Sequence, residues 1–248
     1  MRPPSERSEP MFLAANTVLM IYLAAAVVPA LVLMNYVYKQ DKRNKEPIGL
    51  LGMCILMGVC AALASIALEG IGISALNMSQ IDQTTPLYIM ALAFGVVAVV
   101  EEGTKLFFLY LKTWKNPNFD YKFDGIIYAV FVSLGFAAFE NIKYVFSYGL
   151  SVALPRAILA IPGHMTFAVV MGVFYGRAKY LENHGQPGKW LYIFLGWFFA
   201  VLLHGFYDTC AMLGTAESSV VFSVFIIFMY LLVFGLIKRE SNQDYKLN

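Results

Sequence analysis

The chain alternates between long apolar runs and short polar breaks. Seven runs stand out: Met11 to Tyr38, Ile48 to about Ile73, Leu87 to Leu111, about Asp124 to Phe146, about Pro155 to Leu181, Trp190 to about Leu213, and Val220 to Ile237. At ~1.5 Å of rise per helical residue, runs of this length reach across a hydrocarbon layer of about 30 Å. A spanning segment must satisfy its own backbone hydrogen bonds, so helices are expected. The predicted fold is all-α: a polytopic transmembrane helical bundle of about seven spans. Residues 1–248 read as one membrane domain, with two spans in 1–86, a four-span core in 87–213, and the last span with a polar tail in 214–248.

The breaks refine the pattern. The first run contains Ala24-Ala25-Ala26, which looks like a leader-cleavage site. It continues well past that point to Lys39-Gln40-Asp41-Lys42-Arg43, a stop-transfer pattern, so a retained helix is expected, with Pro29 as a bending point. Residues 1–10 read as an irregular polar segment. Glu69 is expected near the end of the second span, at the aqueous boundary. Pro162-Gly163 interrupts the fifth run, and the proline frees the carbonyl of Ile158, four residues earlier. A polar tail begins at Lys238-Arg239-Glu240.

Composition agrees. The chain is 59% hydrophobic and 14% charged, where a soluble domain carries nearer a quarter charged residues. Net charge is +2, and no basic cluster interleaves with aromatics as nucleic-acid binding requires. Cys54, Cys60 and Cys210 form no CxxC pair and no even framework, so they read as packing residues. The loops after spans one, three and five, with the adjoining span ends and the tail, hold about 13 of the 18 lysines and arginines. The positive-inside rule then puts the C-terminus in the cytoplasm and the N-terminus outside, in a multi-pass protein of the cell membrane.

Four spans carry polar groups that a bilayer does not tolerate without a reason. Glu101-Glu102-x-x-Lys105 lies in the third, Glu140-Asn141 in the fourth, Pro162-Gly163-His164 in the fifth, and His204-x-x-x-Asp208 in the sixth. Helical rise places all of them between the midplane and the outer side. Lys105, one turn on from the glutamates, can neutralise one carboxylate and leave the other as a base. The spacing of four puts His204 and Asp208 on one face. The bland readings are an ion pathway, a structural ion pair, a local Glu140–Lys143 bridge, and Phe136 as packing. Gly172 and Gly176 read as helix packing, and His184 as a solvated loop residue.

Together these motifs resemble the PrsW family of intramembrane proteases. The likeness extends through Phe123-Asp124-Gly125-Ile126-Ile127-Tyr128 and Gly172-x-x-x-Gly176 and covers about Val99 to Asp208. The group is similar to the CAAX prenyl protease and ABI superfamily, whose motifs are EExxxR, FxxxH and HxxxN/D. This chain departs with lysine in place of arginine one position earlier, and with Glu140 where the second motif has histidine, which favours PrsW.

The resemblance implies hydrolysis of a single-span membrane protein, with an anti-sigma factor as substrate and the lipid bilayer as surroundings. Glu101, Glu102, His204, His164, Glu140 and Asp208 are the expected catalytic set, with Lys105 and Asn141 in support. A glutamate-activated water without cofactor is favoured, because no HExxH is present. A zinc variant would draw ligands from Glu101, Glu140, His164 and His204. The substrate would lie along backbone freed near Pro162-Gly163. The alternatives in other classes are a proton- or cation-coupled transporter and a membrane scaffold.

Overall fold

The structure is a computed structural model that describes the backbone of residues 4–247 and side chains from Asn16 onward. Met1 to Pro3, the start of the segment read as irregular, lie outside the described residues. Residues 4–10 instead extend the first helix.

Seven helices long and apolar enough to cross a membrane account for the fold. They are α1 (Pro4–Gln40), α2 (Ile48–Met78), α3 (Pro86–Thr113), α4 (Asp124–Tyr148), α5 (Leu150–Asn183), α6 (Lys189–Leu213) and α7 (Ala216–Asn242). The described residues contain no strand, only an isolated bridge between Tyr121 and Lys246. Large apolar side chains such as Ile71, Phe107, Leu111, Leu154, Leu191 and Leu231 are exposed on the outside, as lipid contact requires.

The bundle is built around α4, the most buried of the seven. Glycines let its neighbours approach backbone to backbone. A Cβ on Gly58 of α2 would lie 2.0 Å from the Val132 carbonyl, and one on Gly172 of α5 would lie 2.6 Å from the Ile126 Cα. Gly172 and Gly176 thus serve packing, as their spacing predicts. α1 and α7, the least buried, flank this centre.

Two helices are irregular where chemistry is expected. In α3, Ala91–Ala98 is π-helical and runs straight into the turn that carries Glu101 and Glu102. Single π segments inside α-helices are frequent at functional sites. The Phe94 ring of this segment packs against Gly205, where an added Cβ would lie 2.3 Å from it. In α5, a 3₁₀ turn (Leu150–Val152) and a short helix (Ala153–Ile158) precede the main helix (Ala160–Asn183). The break falls at Leu159, three residues before Pro162, because the proline acts on the carbonyl of the preceding turn. That carbonyl, on Ile158, accepts a hydrogen bond from the Tyr230 hydroxyl of α7.

Two expectations are corrected, and the tail adds a finding. α2 runs five residues past Ile73, so Glu69 lies inside the helix and lines an internal cavity. The carbonyl freed by Pro162 is taken: Tyr230 bonds it at Ile158, while Thr166 Oγ1 bonds the Pro162 carbonyl at 2.9 Å and Gly163 N bonds Leu159 O at 3.0 Å. The tail is docked. Leu247 is buried, its N–H donates to Asp120 O at 2.7 Å, and Asp244 Oδ1 accepts from Phe123 N at 2.9 Å.

Candidate active site

The four motifs meet in one buried cluster. Lys105 is its hub. Its Nζ lies 3.0 Å from Glu101 Oε2, 2.8 Å from Glu102 Oε1 and 3.1 Å from His164 Nδ1, and 4.0 Å above the Phe136 ring. The two glutamates are i−4 and i−3 from Lys105, so one helical turn presents all three together. The Thr104 hydroxyl bonds the Glu101 carbonyl at 3.0 Å and Ser65 of α2 at 2.7 Å, which fixes this turn against its neighbour.

Two histidines extend the cluster in opposite directions. An ammonium only donates, so His164 Nδ1 accepts from Lys105 and its Nε2–H donates to Glu140 Oε2 at 3.2 Å. His164 follows the break in α5, and Ser133 Oγ holds its carbonyl at 3.0 Å. His204 Nδ1 lies 2.9 Å from Glu102 Oε1, and its Nε2 lies 3.4 Å from Asp208 Oδ2 and 3.9 Å from Glu101 Oε2. The Phe167 ring stacks on His204 with centroids 4.8 Å apart, which sets the ring plane.

Glu140 does not pair with Lys143. It accepts from Arg156 Nη2 at 2.8 Å and from His164. Arg156 Nε also donates to Asn141 Oδ1 at 2.9 Å, and Asn141 Nδ2 donates to the Ala26 carbonyl of α1 at 2.8 Å. Asn141 therefore ties α1 to the cluster. Arg156 is the residue that sequence reasoning missed. The signal was available: an arginine sits two turns ahead of His164 in an apolar run. Phe136, read as packing, also carries the Lys105 ammonium on its face. His184 lies apart from the cluster, exposed and stacked on Tyr180.

A cavity of about 340 Å³ opens on this cluster. Glu101, Glu140, His164, His204, Asp208 and Arg156 line it, whereas Glu102 and Lys105 are not part of its wall. The adjacent glutamates thus differ: Glu101 faces the space, and Glu102 is fully buried with Oε2 unpartnered.

The residues also bear on metal binding. Glu101, Glu102 and His164 each offer one donor atom, and the three lie within 4.8 Å of one another. Two carboxylates and an imidazole are a competent zinc set, and the Glu140 carboxylate on the far nitrogen of His164 is the pairing that orients metal-bound histidines. The donors therefore fit zinc. Glu140 and His204, the other expected candidates, touch this set: Glu140 Oε2 lies 3.2 Å from His164 Nε2, and His204 Nδ1 lies 2.9 Å from Glu102 Oε1. Lys105 Nζ touches the same three side chains, so they serve one cation at a time.

Seven helices able to span a membrane, five of which line a cavity that carries carboxylates and histidines, define a multi-pass membrane protein with a buried acid–histidine site. A family model described as PrsW family intramembrane metalloprotease matches residues 46–236. Among curated relatives named Protease PrsW, that of Shouchella clausii (strain KSM-K16) is 32% identical over 219 residues, covering 88% of this chain and 95% of the relative. That of Clostridioides difficile (strain 630) is 30% identical over 226 residues, covering 90% and 92%. That of Bacillus subtilis (strain 168) is 29% identical over 219 residues, covering 88% and 94%. No solved structure matches the chain with significance. The chain belongs to the PrsW family of intramembrane proteases.

Proposed function

We propose that this chain cuts single-span membrane proteins, with a membrane-anchored anti-sigma factor as the substrate class. The substrate class rests on the family resemblance of the motifs. Glu101 takes a proton from a water in the cavity, and the water oxygen attacks the scissile carbonyl carbon. The C–N bond then breaks, and the proton passes to the leaving nitrogen. General-base catalysis of this kind is worth about 10²–10⁴-fold. His204, held between Glu102 and Asp208, faces the oxyanion. One observation carries this assignment: of the glutamate pair, Glu101 lines the cavity while still bonded to Lys105. Arg156 and His164 both engage Glu140, which leaves it a positioning role.

The basic loops support a cytoplasmic C-terminus and an exterior N-terminus, which suits a first cut on the exterior side. The donor set favours a second reading, in which Glu101, Glu102 and His164 hold zinc. When bound, zinc lowers the proton affinity of its water and polarises the scissile carbonyl. The family supports hydrolysis over the transporter and scaffold readings of the same residues.

The test is co-expression with candidate single-span proteins. Wild type is expected to produce a fragment that Glu101→Gln and His204→Ala do not; the same fragment from all three overturns the assignment. Activity that survives exhaustive chelation removes the zinc reading. Activity lost on chelation and restored by zinc replaces the metal-free route.

A further inference from the structure

A second acidic cluster lies at the opposite end of α4, away from the cavity. Asp41 and Glu46 stand in the α1–α2 connection, Asp120 precedes α4, Asp124 begins it, and Asp244 comes from the docked tail. Asp41, Glu46, Asp124 and Asp244 are more than nine-tenths buried, and Asp124 is only 1% exposed. One oxygen on each of Asp41 (Oδ2), Glu46 (Oε1), Asp120 (Oδ1) and Asp124 (Oδ1) is buried without any hydrogen-bond partner. The second oxygens of Glu46 and Asp124 have partners. Glu46 Oε2 accepts from the Tyr128 hydroxyl at 2.6 Å, and Asp124 Oδ2 accepts from the N–H groups of Tyr121 and Asp120 at 2.7 and 3.1 Å.

The neighbouring lysines bond other acceptors. Lys42 bonds Asn242 Oδ1 at 2.7 Å, Lys122 bonds Glu240 at 2.6 Å, and the Lys45 amine bonds the carbonyls of Tyr38 and Asp41. Among the described residues, none of the five carboxylates has a basic nitrogen within ion-pair distance. Buried carboxylates in such numbers need a positive partner. Burial pushes the Glu46 carboxyl up to about 7 and raises Asp41 and Asp244 as well. The Glu46 and Asp124 carboxyl groups lie within hydrogen-bonding reach of each other, a contact that needs a proton or a cation between their oxygens.

We propose that Glu46 and Asp124 bind a hydrated divalent cation of the Mg²⁺ type, with Asp41 and Asp120 as its outer, water-bridged partners. The donors are all oxygen, which selects a hard ion over zinc. No third carboxylate among the described residues closes on this pair tightly enough to share the inner coordination sphere, so the ion keeps several of its waters, as Mg²⁺ does. The ion ties the α1–α2 connection to the start of α4. Its site is separate from Glu101, Glu102 and His164.

The test uses full-length protein in detergent at pH 8, stripped with EDTA and followed by thermal unfolding at constant ionic strength. Millimolar Mg²⁺ is expected to raise Tm by about 3–6 °C in wild type and in Glu101→Gln alike. Glu46→Gln and Asp124→Asn keep their acceptors for Tyr128 and the backbone, and are expected to unfold at a higher temperature without metal and to gain nothing from Mg²⁺. Mn²⁺, as a paramagnetic stand-in, is expected to give one bound ion by electron paramagnetic resonance in wild type and none in Glu46→Gln. A wild-type Tm that ignores Mg²⁺ and Ca²⁺, or a shift that persists in Glu46→Gln, overturns the site. A Tm that rises on acidification to pH 6 but ignores metal also overturns it, and assigns the place to a shared proton.

Discussion

The two acidic clusters show opposite solutions to burying carboxylates. Around the cavity, Glu101 and Glu102 have Lys105, Glu140 has Arg156 and His164, and Asp208 has His204. At the other end of α4, Asp41, Glu46 and Asp124 have hydroxyl and amide donors but no basic side chain. The first cluster is held by charges on the chain itself and can keep its geometry without help. The second is incomplete until a cation or a proton arrives. The difference is between carboxylates neutralised by basic side chains of the chain and carboxylates left with neutral hydrogen-bond donors.

That contrast can be broken at several places. The largest expected effect is on activity: Glu101→Gln should reduce cleavage by about 10²–10⁴-fold while leaving the thermal unfolding midpoint near that of wild type, measured on purified protein with a cleaved substrate. Lys105→Met removes the shared cation and leaves two buried charges uncompensated. A destabilisation of about 3–5 kcal/mol is expected in denaturation, and a Tm equal to wild type would show that the cluster does not depend on its lysine.

The pH dependence of the second cluster carries a definite sign. The Glu46 carboxyl is raised by burial from 4.5 to about 7, so the folded state holds its proton more tightly than the unfolded chain. In the absence of divalent metal, its contribution is full below pH 4.5 and is lost as pH rises through about 7. Glu46→Gln should flatten that part of the Tm-against-pH curve, and an unchanged slope would remove Glu46 from the account. The smallest effect is expected from Tyr230→Phe, which leaves the Ile158 carbonyl without its donor and should lower stability by about 1 kcal/mol.

The seven spans were legible because the contrast between apolar runs and polar breaks is strong, and length alone then selects helices. The motif residues were legible because charge inside such runs is rare. What could not be read is which side chain on one helix meets which on another. Spacing put His204 and Asp208 on one face, and they do meet. Spacing equally offered Lys143 to Glu140, but the partner comes from α5 as Arg156. The carbonyl freed by Pro162 was correctly located at Ile158, yet its partner, Tyr230, lies 72 residues away, and it takes the backbone that a substrate was expected to use. The docking of the tail was out of reach for the same reason: it depends on Asp120 and Phe123, which no local pattern connects to Asp244 or Leu247.

The π-helical segment Ala91–Ala98 has a consequence for changes in chain length. A turn closed by i to i+5 bonds contains one residue more than an α turn needs, so the segment holds slack just upstream of Glu101. A single-residue deletion there can be absorbed by tightening to α-helix, with the carboxylates left in place. The same deletion between Glu102 and Lys105 has no slack to draw on and would turn the lysine by ~100° away from its glutamates. Single-residue deletions should therefore be tolerated on one side of Val99 and not on the other.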